Sequence, residues 1–137
     1  MNLNFLLPPE IAEGASLRDN EYGWPVSAFT ESLTSARSRG FACLGGQFQF
    51  RFPSTIYEMY WLEANATARL DGEPWSNYSS RSCSEVMSKF EELISKTDFA
   101  KEAANFGLDR HAVDTLVFVA YFESESSFAE LSSMRRL

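Results

Sequence analysis

Between residues 41 and 52, FACLGGQFQFRF, apolar and polar side chains alternate. Phe48, Phe50 and Phe52 fall on one side, and Gln47, Gln49 and Arg51 on the other. A period of two is that of a half-buried strand. Gly45-Gly46 inside the run predicts a bulge or a close backbone approach. Pro53-Ser54-Thr55 predicts a short turn, and Ile56 to Arg69 a second strand antiparallel to the first. There Ile56, Tyr60 and Leu62 share one side, while Tyr57, Met59 and Trp61 share the other. Both faces are therefore expected to be covered near its start, with the polar end, ANATAR, projecting beyond the sheet. LVFVAYF at 116–122 is rich in β-branched and aromatic residues and predicts a third strand over Asp114 to Glu123.

Elsewhere the period lengthens. Val26, Phe29, Leu33 and Ala36 recur at helical spacing. Trp24-Pro25 is read as the start of that helix, because proline is preorganised for a first helical position. Ser32, Ser35 and Arg39 take the wet side and Gly40 marks the stop. Pro9 to Glu13 predicts a short helical turn closed by Gly14, and ASLRDNEYG a loop. Asp71-Gly72 is a turn signal, followed by a polar loop over Glu73 to Arg81. Ser82 with Glu85 three residues on reads as a capping box. It opens a helix that buries Val86, Phe90, Leu93 and Ile94 and carries Glu85–Lys89 and Glu92–Lys96 as i,i+4 pairs. A second short helix runs from Asp98 to Asn105, and the tail predicts a last one with Phe128 and Leu131 facing inward. The order α-β-β-α-α-β-α, with the hairpin and helices segregated, predicts an α+β fold: about three or more strands, antiparallel or mixed, packed by helices.

Length and composition sharpen this picture. At 137 residues, the chain fits one domain over 1–137 that needs neither disulfide nor metal to fold. A hydrophobic fraction of 45% with 12 phenylalanines excludes intrinsic disorder. Met1 to Leu7 is apolar but stops at Pro8-Pro9 without a basic flank, so no secretory signal is expected. Nor does any apolar run reach membrane-spanning length. Cys43 and Cys83 are read as reduced thiols, and a cytoplasmic location follows as the expectation. The sequons at Asn65 and Asn77 carry no meaning without secretion. The net charge of −7 and pI near 4.7 disfavour direct nucleic-acid binding, which needs clustered Lys and Arg. Acids outnumber bases in every quarter of the chain. That pattern is either ordinary solubility charge or steering toward a basic partner.

Signals for chemistry are thin. His111 is the only histidine. An enzyme would need it, oriented by Asp114, to act with Cys43 or Cys83, yet FACLG and SRSCSEV match no nucleophile motif. One histidine and two distant cysteines do not give zinc spacing. Gly45-Gly46 lacks the lysine and following helix of a phosphate loop, and no cofactor is expected. Trp24 reads as a packing residue. Trp61 fits the core or an exposed platform, and Trp75, among Asp71, Glu73 and Tyr78, fits an interface anchor or a ring that closes the core.

From Trp24-Pro25 through the helix to FACLGGQFQFRFP and EMYWLEANAT, residues 22–70, the chain resembles the small bacterial immunity proteins, in particular the immunity-protein-40 type. These belong to contact-dependent growth inhibition and other polymorphic toxin systems. The resemblance implies a cytosolic protein without catalytic residues that binds one cognate toxin, often a nuclease, and blocks its active site. The acidic composition agrees, since an acidic inhibitor can occupy a nuclease's basic cleft as a phosphate mimic. On composition, Glu58, Glu63, Asp71 and Glu73 are the expected charge partners, with Trp61, Trp75 and Tyr78 as anchors. Other readings are an acidic adaptor or chaperone module, and a small enzyme using His111.

Overall fold

The alternating phenylalanines form the middle of a five-stranded antiparallel sheet. The computed structural model describes residues 6–129. Its elements run α1 (Pro9–Ala12), β1 (Ser16–Arg18), β2 (Glu21–Pro25), α2 (Val26–Ser38), β3 (Ala42–Arg51), β4 (Ile56–Asn65), α3 (Trp75–Lys96), α4 (Phe99–Asn105), a 3-10 turn over Arg110–Thr115, and β5 (Leu116–Glu123). Residues 125–129 begin a further helical turn. The strand order is β1-β2-β5-β3-β4, so β5, last in sequence, fills the centre between β2 and β3. The expected α+β class holds.

One face of the sheet carries the core. Phe48 pairs with Phe118 across β3 and β5, and Trp24 with Phe118 across β2 and β5. The helices close over these rings. Phe29 of α2 lies 4.6 Å from Phe118, and Phe90 of α3 lies 5.5 Å from Phe48, centroid to centroid. Trp24 is fully buried and its indole N–H donates to the Ile11 carbonyl at 3.0 Å, which ties α1 to the sheet. Rings at these separations add modestly to the burial of their area.

Five expectations are corrected. ASLRDNEYG is not a loop but the β1–β2 hairpin. Asp19 (φ 53) and Asn20 (φ 65) occupy its two-residue turn, where left-handed residues match the twist of the flanking strands. Trp24-Pro25 ends β2, and α2 starts only at Val26. The stretch from Trp75 to Arg81 is the first part of α3, which opens after Pro74. Ser82 is therefore no cap but a fully buried helix-interior residue whose hydroxyl accepts from the Cys43 N–H at 3.1 Å. Ser32, expected on the wet side of α2, is also buried, with its hydroxyl directed at the Ala28 carbonyl. Small polar side chains fit where helix and sheet backbones come close.

The end of β4 is fastened to α3 by one arginine. Arg81 donates to Glu73 at 2.8 and 2.9 Å, to Glu85 at 2.8 Å and to the Thr67 hydroxyl at 2.6 Å. The expected Glu85–Lys89 pair does not form, since Lys89 reaches the Asn65 carbonyl and Glu85 takes Arg81. Glu92–Lys96 does, at 2.7 Å. The hydrogen bonds from Arg81, helped by the Leu70 N–H, hold the Glu73 carboxyl down at about 2. Burial pushes Glu85 up, but bonds from the Thr67 N–H and Arg81 outweigh it and leave that group lowered too. A carboxylate depressed in the folded state stabilises it above the unfolded-state value and loses that contribution as pH falls toward the folded value. The Glu73 contribution should therefore fade between about pH 4.5 and pH 2. Urea midpoints across that window should fall less steeply for Glu73→Gln than for the parent; equal slopes would refute this account.

Among the described residues, no helix is long and apolar enough to cross a membrane. Leu131, expected to face inward, lies outside the described residues.

Candidate functional site

The sheet face opposite Phe48 is built from three cross-strand rows spanning β5, β3 and β4. Tyr121, Gly45 and Asn65 form one row, Val119, Gln47 and Glu63 the next, and Val117, Gln49 and Glu58 the third. Because the side-chain period is two, these nine positions share one face. The rows owe their alignment to two irregularities, one in β3 between Cys43 and Gly45 and one in β4, where Met59 and Glu63 pair with the consecutive residues Phe48 and Gln47. Gly45, at φ 129, supports the first.

Arg51 lies flat over this face. Its guanidinium covers Gly23, where an added Cβ would come within 2.9 Å of Cζ. It donates to the Gln49 side-chain oxygen at 2.9 Å, the Ser16 carbonyl at 2.7 Å and the Glu21 carbonyl at 3.3 Å. Burial, then the neighbouring Arg18, lowers its pKa, against the pull of Glu21 and Asp19. The charge is thus consumed within the sheet. Gln49 is itself buried, and its Nε2 has no partner among the described residues.

Across from Arg51 the face is acidic. Tyr121, 43% exposed, donates its hydroxyl to Glu21. Burial and then Glu21 push the phenol up to about 12, with Glu58 adding to the shift. Glu58 and Glu63 are exposed on β4, and neither has an ion pair among the described residues. The β4 irregularity also brings out Tyr60, 69% exposed, and Trp61, 47% exposed. Trp61 is fixed there by a 2.7 Å bond from its indole N–H to Glu102 of α4 and by the Phe106 ring at 5.9 Å. It is an exposed platform, braced from one side.

The structure gathers Glu58, Trp61 and Glu63 on β4, an edge strand. Asp71 is exposed but sits in the turn before α3. The remaining three expectations are corrected. Trp75 is 8% and Tyr78 2% exposed, so both are core residues. The Trp75 indole donates to the Gly40 carbonyl at 2.7 Å, and Phe128 packs on both rings. Arg69 stands over Trp75 and Arg81 over Tyr78. Glu73 is committed to Arg81. Their polar neighbours suggested a surface loop, but a 22-residue helix turns Trp75 and Tyr78 (i and i+3) to the same buried side. Tyr60, Tyr121 and Glu21 were missed. Tyr121 shares alternation with Val117 and Val119, a signal that needs the β3–β5 pairing to be read.

The titratable groups named for catalysis lie apart in character. Cys43 and Cys83 are buried, and burial raises both thiols, Cys83 to about 11. His111 is on the exposed 3-10 turn, 3.9 Å from Asp109 rather than joined to Asp114. A thiolate nucleophile needs the opposite environment. A groove of about 360 Å³ between α2 and α3 reaches Cys83 past Leu33, Arg37 and Met87.

Comparison of the chain with protein-family models, with curated proteins and with solved structures found no match.

Proposed function

We propose that this protein is an immunity-type inhibitor that binds a cognate toxin domain, a nuclease with a basic cleft, in the cytoplasm of the cell it protects. The observation that carries the reading is the composition of β4. Within six residues, this edge strand presents Glu58, Tyr60, Trp61 and Glu63 to solvent. The two carboxylates make no ion pair among the described residues, and the rings supply rigid contact area. Interfaces draw most of their energy from such aromatic anchors. Acids spread over the whole chain add a long-range field that speeds encounter with a basic partner. Tyr121 and Glu21 extend the surface toward the centre of the sheet. Trp75 and Tyr78, being buried, take no part.

The decisive experiment is co-expression with the product of the gene directly upstream. Co-elution of the two proteins, together with growth restored to cells that the upstream product otherwise arrests, is the expected result. An upstream product that is not toxic, or that does not co-elute, would overturn the reading in favour of an adaptor or chaperone module.

A further inference from the structure

In the row Tyr121–Gly45–Asn65 the middle residue has no side chain, and the Asn65 side chain and β4 backbone close in where a Cβ would stand. Around this row is a hollow of about 190 Å³ lined by Leu44, Gly45, Gly46, Gln47, Glu63, Asn65 and Tyr121. Its chemistry is one-sided. Among the described residues Glu63 has no ion pair, and the side-chain amides of Gln47 and Asn65 make no hydrogen bond, so they can accept from a ligand. Lys89 reaches the Asn65 carbonyl from α3 but does not line the hollow. The Tyr121 ring forms one wall, and its hydroxyl, turned toward Glu21, leaves the ring's position fixed. Leu44 supplies an apolar floor.

A metal ion is poorly served by one carboxylate, and no group of three or more His, Cys, Asp or Glu suited to a metal occurs among the described residues. A planar cation with several donors is well served. A guanidinium can pair with a carboxylate through two parallel N–H bonds and stack on an aromatic ring at the same time. A lysine ammonium can do the first only as a point charge.

We propose that the hollow over Gly45 is a receptor for an arginine side chain of a basic protein partner, paired to Glu63 and stacked on Tyr121. The assignment of that arginine to a toxin rests on the inhibitor reading; the preference for a guanidinium rests on the hollow alone.

The test needs no toxin. Amide resonances are followed while N-acetyl-arginine methylamide is added, with N-acetyl-lysine methylamide at the same ionic strength as the comparison. The arginine compound should shift Gly45, Gly46, Gln47, Glu63, Asn65 and Tyr121 selectively and bind more tightly than the lysine one. Binding should weaken about tenfold in Glu63→Gln, the loss expected for one charge-assisted contact. It should weaken also in Tyr121→Leu, and persist in Tyr121→Phe, which keeps the ring. Shifts spread evenly over the acidic surface, equal binding of the lysine compound, or no loss in Glu63→Gln would each overturn the inference. The two proposals fail separately. A protein that protects cells from its toxin but ignores the arginine compound refutes the receptor alone. One that binds the compound selectively but has no toxic partner refutes the inhibitor alone.

Discussion

Alanine in place of Gly46 is expected to destabilise the fold by at least about 3 kcal/mol, the upper end of the usual cost of overpacking. A Cβ at this position would lie 1.9 Å from the Val119 carbonyl oxygen and 2.8 Å from the Ala120 Cα. Both obstacles are backbone, so no side-chain rotation relieves them. The only response is to move β3 away from β5, and that pairing holds the middle of the sheet. Against a typical total of about 5–15 kcal/mol for a domain, such a loss is large. Gly40→Ala provides the contrast. Gly40 sits at φ +75 with nothing within 4 Å of an added Cβ, so only the left-handed backbone penalty applies, about 1–2 kcal/mol. Urea unfolding of both variants separates steric conflict from conformational strain. Equal losses would show that β3 and β5 part without cost, contrary to the packing described.

Sequence pattern was most informative where the period was long and unbroken. Phe48 and Phe50 lie on a strand because their alternation matches the pleat, the 116–122 run forms one because its β-branched and aromatic residues suit a buried central strand, and the pair of glycines did mark a close backbone approach. The β1–β2 hairpin escaped because three- and five-residue strands leave little periodic signal, although Asp19-Asn20 is a pair that tolerates a tight hairpin turn. The first turns of α3 escaped for a different reason. Serines at 79 and 82 look like loop or cap residues, yet here they bury hydroxyls against the Phe41 carbonyl and the Cys43 N–H. A helix lying close to a strand selects for small side chains, and small polar ones serve once their hydrogen bonds are met. The same misreading offered Trp75 and Tyr78 as interface anchors, although closing the core was the other reading of Trp75, and the structure takes it.

Part of the candidate site was legible for a local reason and part was not. Glu58, Trp61 and Glu63 lie on one strand, so their neighbourhood needs no tertiary knowledge. Tyr121 joins them only because β5 pairs with β3 across more than seventy residues of sequence. Glu21 joins through β2. Non-local pairings of this kind decide which side chains share a face, and the hydrophobic pattern of any single segment leaves them open.

Reversing the two carboxylates of β4 tests whether that shared face does the binding. On the proposed inhibitor reading, Glu58→Lys with Glu63→Lys should weaken binding to the toxin partner at least about a hundredfold, equivalent to roughly 2.7 kcal/mol. Both side chains are exposed, and lysine is well tolerated on an edge strand, so unfolding by urea should change little. The salt response is the more discriminating measurement. Parent affinity should fall as salt is added, because attraction between opposite charges is screened; the reversed variant should show a flat or rising response. Glu31→Lys with Glu91→Lys makes the same change in net charge at exposed acids of α2 and α3, the helices that pack on the opposite face of the sheet. If that control loses as much affinity as the β4 variant, total charge governs the association and the sheet face has no special part in it. If only the β4 variant loses it, the acids act through their place on the face they share with Tyr121, with Trp61 held at the edge of the sheet by α4.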